Sequence, residues 1–179
     1  MIDMKYDVIV IGSGPGGYVA AIRCAQLGMK TAIVEKEYLG GTCLNVGCIP
    51  SKALLDSTEH YHNAKDTFET HGIKLKDLQV DMPQMIKRKA EVVDQNVKGV
   101  EFLMKKNNID VHWGWGSFKD EHTVLVKGEK ENKEITGEKI IIATGSKPNL
   151  PKMFNYDGKR VISSTEALEI TKVPKKMVV

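Results

Sequence analysis

The run Tyr6–Ile11 (YDVIVI) is short, apolar and rich in β-branched residues, the pattern of a strand buried on both faces. The period then becomes helical. Gly17, Ala20, Ala21, Cys24 and Leu27 predict a narrow face of mostly small residues against a sheet, and Gly28 stands where a C-terminal cap belongs. Thr31–Val34 predicts a second strand, closed by Glu35. From Pro50, the residues Leu54, Thr58, Tyr61, Ala64 and Phe68 recur at helical spacing to about Thr70, and Gly72 ends the run. A loop reaches Pro83. Ile86, Ala90, Val93, Val97, Val100 and Met104 then step by four, three, four, three, four. Such a heptad seam suits a coiled-coil partner or, the expectation here, packing against the preceding helix. Asn107-Asn108 breaks it. Ile109–Val126 alternates like β structure, punctuated by Gly114, Gly116 and Asp120, and predicts an antiparallel meander. Lys127–Lys133 reads as a polar hairpin or loop, and Ile140–Ile142 as a buried strand running into Ala143-Thr144-Gly145. Ser163 with Glu166 three residues on predicts a capping box. Met177–Val179 reads as the start of another strand.

Strand, helix and strand in this order predict an α/β, Rossmann-like domain with a parallel sheet, a helical hairpin and an antiparallel β-meander. The turn after the first strand is Gly12-x-Gly14-x-x-Gly17. Its glycines permit a tight turn, close approach of backbone to a pyrophosphate, and close packing of helix on strand. Pro15 fits the first helical turn, whose free N–H groups face the phosphates. Glu35, 23 positions after Gly12, is placed to accept hydrogen bonds from ribose hydroxyls and to repel a 2′-phosphate. A glycine-rich turn of no function is the plainer alternative; the acid in register favours a dinucleotide.

Composition narrows the function classes. The chain has 179 residues, a net charge of +3 and 41% hydrophobic residues, which suits one globular α/β domain with part of a second. So slight a charge excess argues against a nucleic-acid surface. Lys87-Arg88-Lys89 and Lys127–Glu134 read as solvated faces. The sequence has no apolar run of membrane-spanning length, and its first strand begins near the N-terminus, so the expectation is no membrane and a cytoplasmic protein, a processed mitochondrial one being the alternative.

Two of the three cysteines lie in Gly40–Lys52 (GGTCLNVGCIPSK), at positions 43 and 48. A disulfide closing so short a loop would stabilise by only about 2 kcal/mol, a poor staple, and in a reducing compartment such a bond is catalytic more often than structural. Gly47 and Pro50 predict a helix starting at Pro50, close to Cys48, and a helix N-terminus stabilises an anion such as a thiolate. The spacing alone leaves two unrelated buried thiols open, whereas a metal site lacks a second ligand pair. Cys24, mid-helix, reads as a small core residue.

GGTCLNVGCIPSK resembles, almost letter for letter, the active-site segment of the pyridine nucleotide-disulfide oxidoreductases, two-electron flavoenzymes. Within them, Ile49–Leu55 (IPSKALL) looks most like the dihydrolipoamide dehydrogenases. The mercuric reductases are the next alternative; glutathione reductases usually carry a second Lys where Ser51 stands. The resemblance implies a redox-active Cys43–Cys48 disulfide beside FAD, with Cys48 the flavin-side sulfur, Cys43 the interchange sulfur and Lys52 near the flavin's reactive edge. It implies FAD contacts at Gly12, Gly14, Pro15, Gly17, Glu35, Lys36, Gly41, Thr42, Lys52, Gly116, Ala143, Thr144 and Gly145, and no metal. Its implied chemistry is oxidation of dihydrolipoamide, carried on a lipoyl domain of a 2-oxoacid dehydrogenase or glycine cleavage complex, with NAD⁺ reduced, by a homodimer. No second glycine fingerprint follows Gly17. The resemblance therefore implies an FAD-binding first segment over 1–150, then a connector and the start of an NAD domain over 151–179. On that expectation the 179 residues alone lack turnover; a redox-inert fold fragment, or merely a nucleotide-binding module, is the rival reading.

Overall fold

The computed structural model describes residues 4–179. Six strands, β1 (Met4–Ile11), β2 (Thr31–Glu35), β3 (Asp110–Trp113), β4 (Trp115–Phe118), β5 (Thr123–Lys127) and β6 (Asn132–Ile142), share one sheet in the order β3-β2-β1-β6-β5-β4. The pairs β3–β2, β2–β1 and β1–β6 are parallel; β6–β5 and β5–β4 are antiparallel. The α/β class, the parallel sheet and the meander are thus as expected, but the meander starts later. Asp110–Trp113 extends the parallel sheet beyond β2, because an alternating pattern specifies which side chains share a face and not which strand lies alongside. β6 is also longer than Ile140–Ile142: its polar first half pairs with β5, where backbone bonding rather than apolar content makes the strand.

The helices are α1 (Pro15–Gln26), α2 (Gly41–Val46), α3 (Cys48–Asp66), α4 (Met82–Lys106) and the single turn α5 (Ser164–Ala167). The chain forms two units, Met1–Asn45 with Gln95–Lys147, and Val46–Asp94 with Pro148–Val179. In the first, Val8, Ile9, Val10, Ala32 and Ile33 are buried, as the unbroken apolar runs require. α1 packs on β1 and β2 through buried Gly17 and Ala21, with Cys24 half-buried. Leu27 departs from the expected face. It caps the helix, the chain turns at Gly28 with φ +84°, and the side chain is 57% exposed. Val124, Val126 and Ile135 join Tyr6, Ile11 and Val34 in one hydrophobic cluster, so the meander contributes to the same core as the parallel strands.

In the second unit, α3 and a 3₁₀ turn at Phe68–His71 end at Gly72, φ +77°. Asp81 accepts the Gln84 N–H at 3.0 Å and caps α4, which begins just before Pro83. Arg88 reaches from α4 to the Ala53 carbonyl at 2.8 Å and the Ser57 hydroxyl at 3.0 Å of α3, joining the helical hairpin. The heptad seam is broken here: Ala90 is exposed, and Lys89 is buried against Glu169. The pairing lets a charged residue take an interior position that Ala90 was expected to fill. The predicted capping box is present, with Ser163 and Glu166 in reciprocal contact. Residues 171–179 form no regular element, so Met177–Val179 is not a strand; it has no strand to pair with among the described residues.

Candidate active site

Three glycines of the first unit are held without side chains by their neighbours. A Cβ on Gly12, at φ +99°, would stand 2.3 Å from the Ala143 carbonyl oxygen, and one on Gly17 would stand 1.9 Å from the Gly12 oxygen. One on Gly41, at φ +59°, would meet the Gly14 Cα at 2.7 Å. Gly14 is different: nothing lies within 4 Å of the added atom. Gly12 and Gly17 thus close strand on helix, while Gly14, the N-cap of α1 just before Pro15, has open space where a side chain would stand. The Ala143 N–H donates to the Ile11 carbonyl at 2.8 Å, which holds Ala143-Thr144-Gly145 beside this turn. Thr42, Thr144 and Gly145 are exposed.

Glu35 ends β2 with its carboxylate buried under the turn. One oxygen accepts the Ser13 N–H at 2.9 Å and the Ser13 hydroxyl at 2.6 Å; the other accepts the N–H groups of Lys36 and Glu37, both at 2.8 Å. Burial pushes its acidity down, yet the hydrogen bonds from Ser13, Glu37 and Lys36 outweigh it and hold the carboxyl below its ordinary value. The clamp orders the glycine turn before any ligand arrives, a task the spacing did not reveal. A cavity of about 280 Å³ opens beside it, brought together from Gly12, Glu35, Lys36, Gly116 and Thr144, all expected, and from Ile11, Val34, Gly114 and Trp115, which were not. The Lys36 ammonium lies 4.2 Å from the Trp115 ring centre. The sequence cue for Gly114 and Trp115 is Gly-Trp-Gly, where small residues flank one large ring.

The cysteine segment folds as two helices rather than one. α2 carries Cys43, half-buried, and is fastened by Asn45, which donates to the Leu39 and Gly41 carbonyls at 2.9 Å each. α3 begins at Cys48, not at Pro50: Gly47 is its N-cap and Pro50 is buried two residues in. Cys48 is therefore the first residue of the helix and is exposed. The Ser51 hydroxyl donates back to the Gly47 carbonyl at 2.6 Å, closing the first turn, and Lys52, one turn past Cys48, is exposed. No disulfide joins Cys24, Cys43 and Cys48 in this structure. Among the described residues no cluster of His, Cys, Asp and Glu could hold a metal ion, and no helix is long and apolar enough to cross a membrane.

A glycine turn over a carboxylate-floored cavity is followed along the chain by a helix-borne cysteine pair. The chain belongs to the family described as Pyridine nucleotide-disulphide oxidoreductase, which it matches over residues 6–179. It is 49% identical over 175 residues to dihydrolipoyl dehydrogenase 2, mitochondrial, of Arabidopsis thaliana, with 97% of this chain and 34% of that protein covered. It is 44% identical over 184 residues to dihydrolipoyl dehydrogenase of Bacillus subtilis, covering 98% of this chain and 39% of that protein. Among solved structures it is similar to the HOCl-induced flavoprotein disulfide reductase RclA of Escherichia coli, a C43S mutant in its Cu(II) complex. There the TM-score is 0.74 at 30% identity, over 96% of this chain and 36% of that one. The chain thus spans about a third of the length of these relatives.

Proposed function

We propose that this chain is the flavin-binding part of a dihydrolipoamide dehydrogenase, acting in a homodimer on dihydrolipoamide carried by a lipoyl domain and delivering electrons to NAD⁺. The observation that carries it is the juxtaposition of the open space at the Gly14 Cα with the Glu35 cavity, a combination that fits the pyrophosphate and adenosine of FAD. Gly12, Pro15 and Gly17 shape the phosphate seat; Glu35, through its clamp on the turn, underlies the ribose seat, Lys36 meets the ribose, and Gly116, Ala143, Thr144 and Gly145 wall it. Gly41 and Thr42 continue the seat into α2. A substrate thiolate attacks the Cys43 sulfur of a Cys43–Cys48 disulfide, breaking the S–S bond and releasing Cys48 as thiolate at the start of α3. The second substrate thiol displaces Cys43, which leaves oxidised lipoamide and an enzyme dithiol. Bound FAD supplies the route by which that electron pair reaches NAD⁺, and Lys52 adds positive charge one turn beyond Cys48. The compartment is a reducing one, the cytoplasm or the interior of a mitochondrion.

The role of each sulfur is tested in the whole protein. Cys43→Ser should abolish turnover of dihydrolipoamide while the long-wavelength absorption of a thiolate beside flavin persists; Cys48→Ser should lose both. Persistence of that band only in the Cys48 variant would reverse the assignment.

A further inference from the structure

A second recess of about 710 Å³ lies in the same unit, with Lys36, Gly114 and Trp115 common to its lining and that of the Glu35 cavity. Both tryptophans of the chain line it, Trp113 52% and Trp115 57% exposed. Trp113 ends the edge strand β3, and its indole makes no ring contact among the described residues. Four lysines and three glutamates, Glu37, Glu129 and Glu131, also line the recess. Lys36 lies on Trp115 and Lys133 pairs with Glu131 at 2.8 Å, whereas Lys127 and Lys130 have no carboxylate at ion-pair distance among the described residues. His112 adds a hydrogen-bonding edge. The Tyr6 hydroxyl gives its one proton to Asp110 at 2.9 Å, so its oxygen accepts from His112 Nε2–H, also at 2.9 Å. Nδ1 of that ring is then a bare acceptor, and burial, the larger influence, keeps the imidazole below its ordinary pKa and so neutral.

Indole faces suit a planar base, an imidazole acceptor suits an amino or hydroxyl donor, and two unpaired ammonium groups suit phosphate. The volume is that of a site for a small organic ligand, roughly 300–1,000 Å³. We propose that this recess is a second nucleotide site, for a nucleoside phosphate, distinct from the cavity over Glu35. The proposal does not depend on the flavin reading.

Intrinsic fluorescence reads it directly, because the chain has two tryptophans and Trp113 lines only the larger recess. In the Trp115→Phe chain, ADP should quench Trp113 emission saturably. Adding Lys127→Glu and Lys130→Glu should weaken that binding at least about tenfold, or about 1.4 kcal/mol. Both lysines are exposed, so the far-UV spectrum should not change, and Lys→Ala at the same positions should weaken binding in the same direction. Gly14→Ala, which alters only the glycine turn, should leave the quenching intact. Absent quenching, quenching that survives both lysine variants, or quenching abolished by Gly14→Ala would each overturn the proposal.

Discussion

At the scale of single residues, the Glu35 carboxylate and the glycines around it separate building the turn from binding at it. All four acceptor positions of the carboxylate are occupied by protein donors, so its amide analogue would oppose N–H groups with an NH₂. Glu35→Gln should cost about 1–3 kcal/mol in denaturant unfolding without ligand, the penalty of a buried unsatisfied donor. Because folding lowers this carboxyl's pKa, its contribution is complete above the ordinary carboxylate range and is lost as pH falls through the lowered value. The stability difference between Glu35→Gln and the parent should therefore shrink in acid; a difference independent of pH would show that the clamp is not ionic. The glycines divide similarly. Gly17→Ala drives a Cβ into the Gly12 carbonyl at 1.9 Å and should lower the melting temperature. Gly14→Ala meets no protein atom within 4 Å, so it should melt near the parent yet bind FAD at least about tenfold less tightly. Isothermal titration and thermal melts of the pair check both halves.

At the scale of elements, α1 and α5 show how few residues set a packing or a cap. Ala21 is fully buried where α1 meets the sheet, and Ala21→Leu should destabilise by roughly 1–3 kcal/mol through over-packing. An unchanged melting temperature would mean that this helix face yields to the larger side chain. α5 is one turn held by its box. Glu166 accepts from the Ser163 hydroxyl and N–H, both at 2.7 Å, and from the Tyr156 hydroxyl at 2.7 Å. The Ser163 hydroxyl, then Tyr156 and the Ser163 N–H, draw its pKa from 4.5 to about 2. The cap's contribution is thus present above about 4.5 and lost as pH falls toward 2. A carboxyl titration by NMR should place Glu166 well below 4.5, and Ser163→Ala with Tyr156→Phe should return it toward 4.5.

At the scale of the whole molecule, the 179 residues carry one complete glycine fingerprint and span about a third of the length of the relatives they match. This chain by itself should bind FAD weakly and show no NAD⁺ reduction by dihydrolipoamide, measured against a full-length relative under the same conditions. Sustained turnover would overturn that expectation. The β1–turn–α1–β2 unit was legible from the sequence because it is local: apolar runs, three glycines and an acid lie within residues 6–35 and their order prescribes the contacts. The cysteine segment was legible for a similar reason, being a contiguous motif. The remainder was decided by partners distant in the chain. Alternation at Ile109–Trp113 could not say that β3 would lie parallel to β2, since a strand's period fixes faces and leaves its neighbour open. Helical spacing put Ala90 on the buried seam, but the carboxylate of Glu169 draws Lys89 inside instead. Trp115 came to wall the cavity only when the meander folded over the ends of β1 and β2. Sequence determines local backbone preference and the residues able to do chemistry; tertiary structure alone decides which of them meet, because desolvation and hydrogen bonding act between groups that are near in space whatever their separation along the chain.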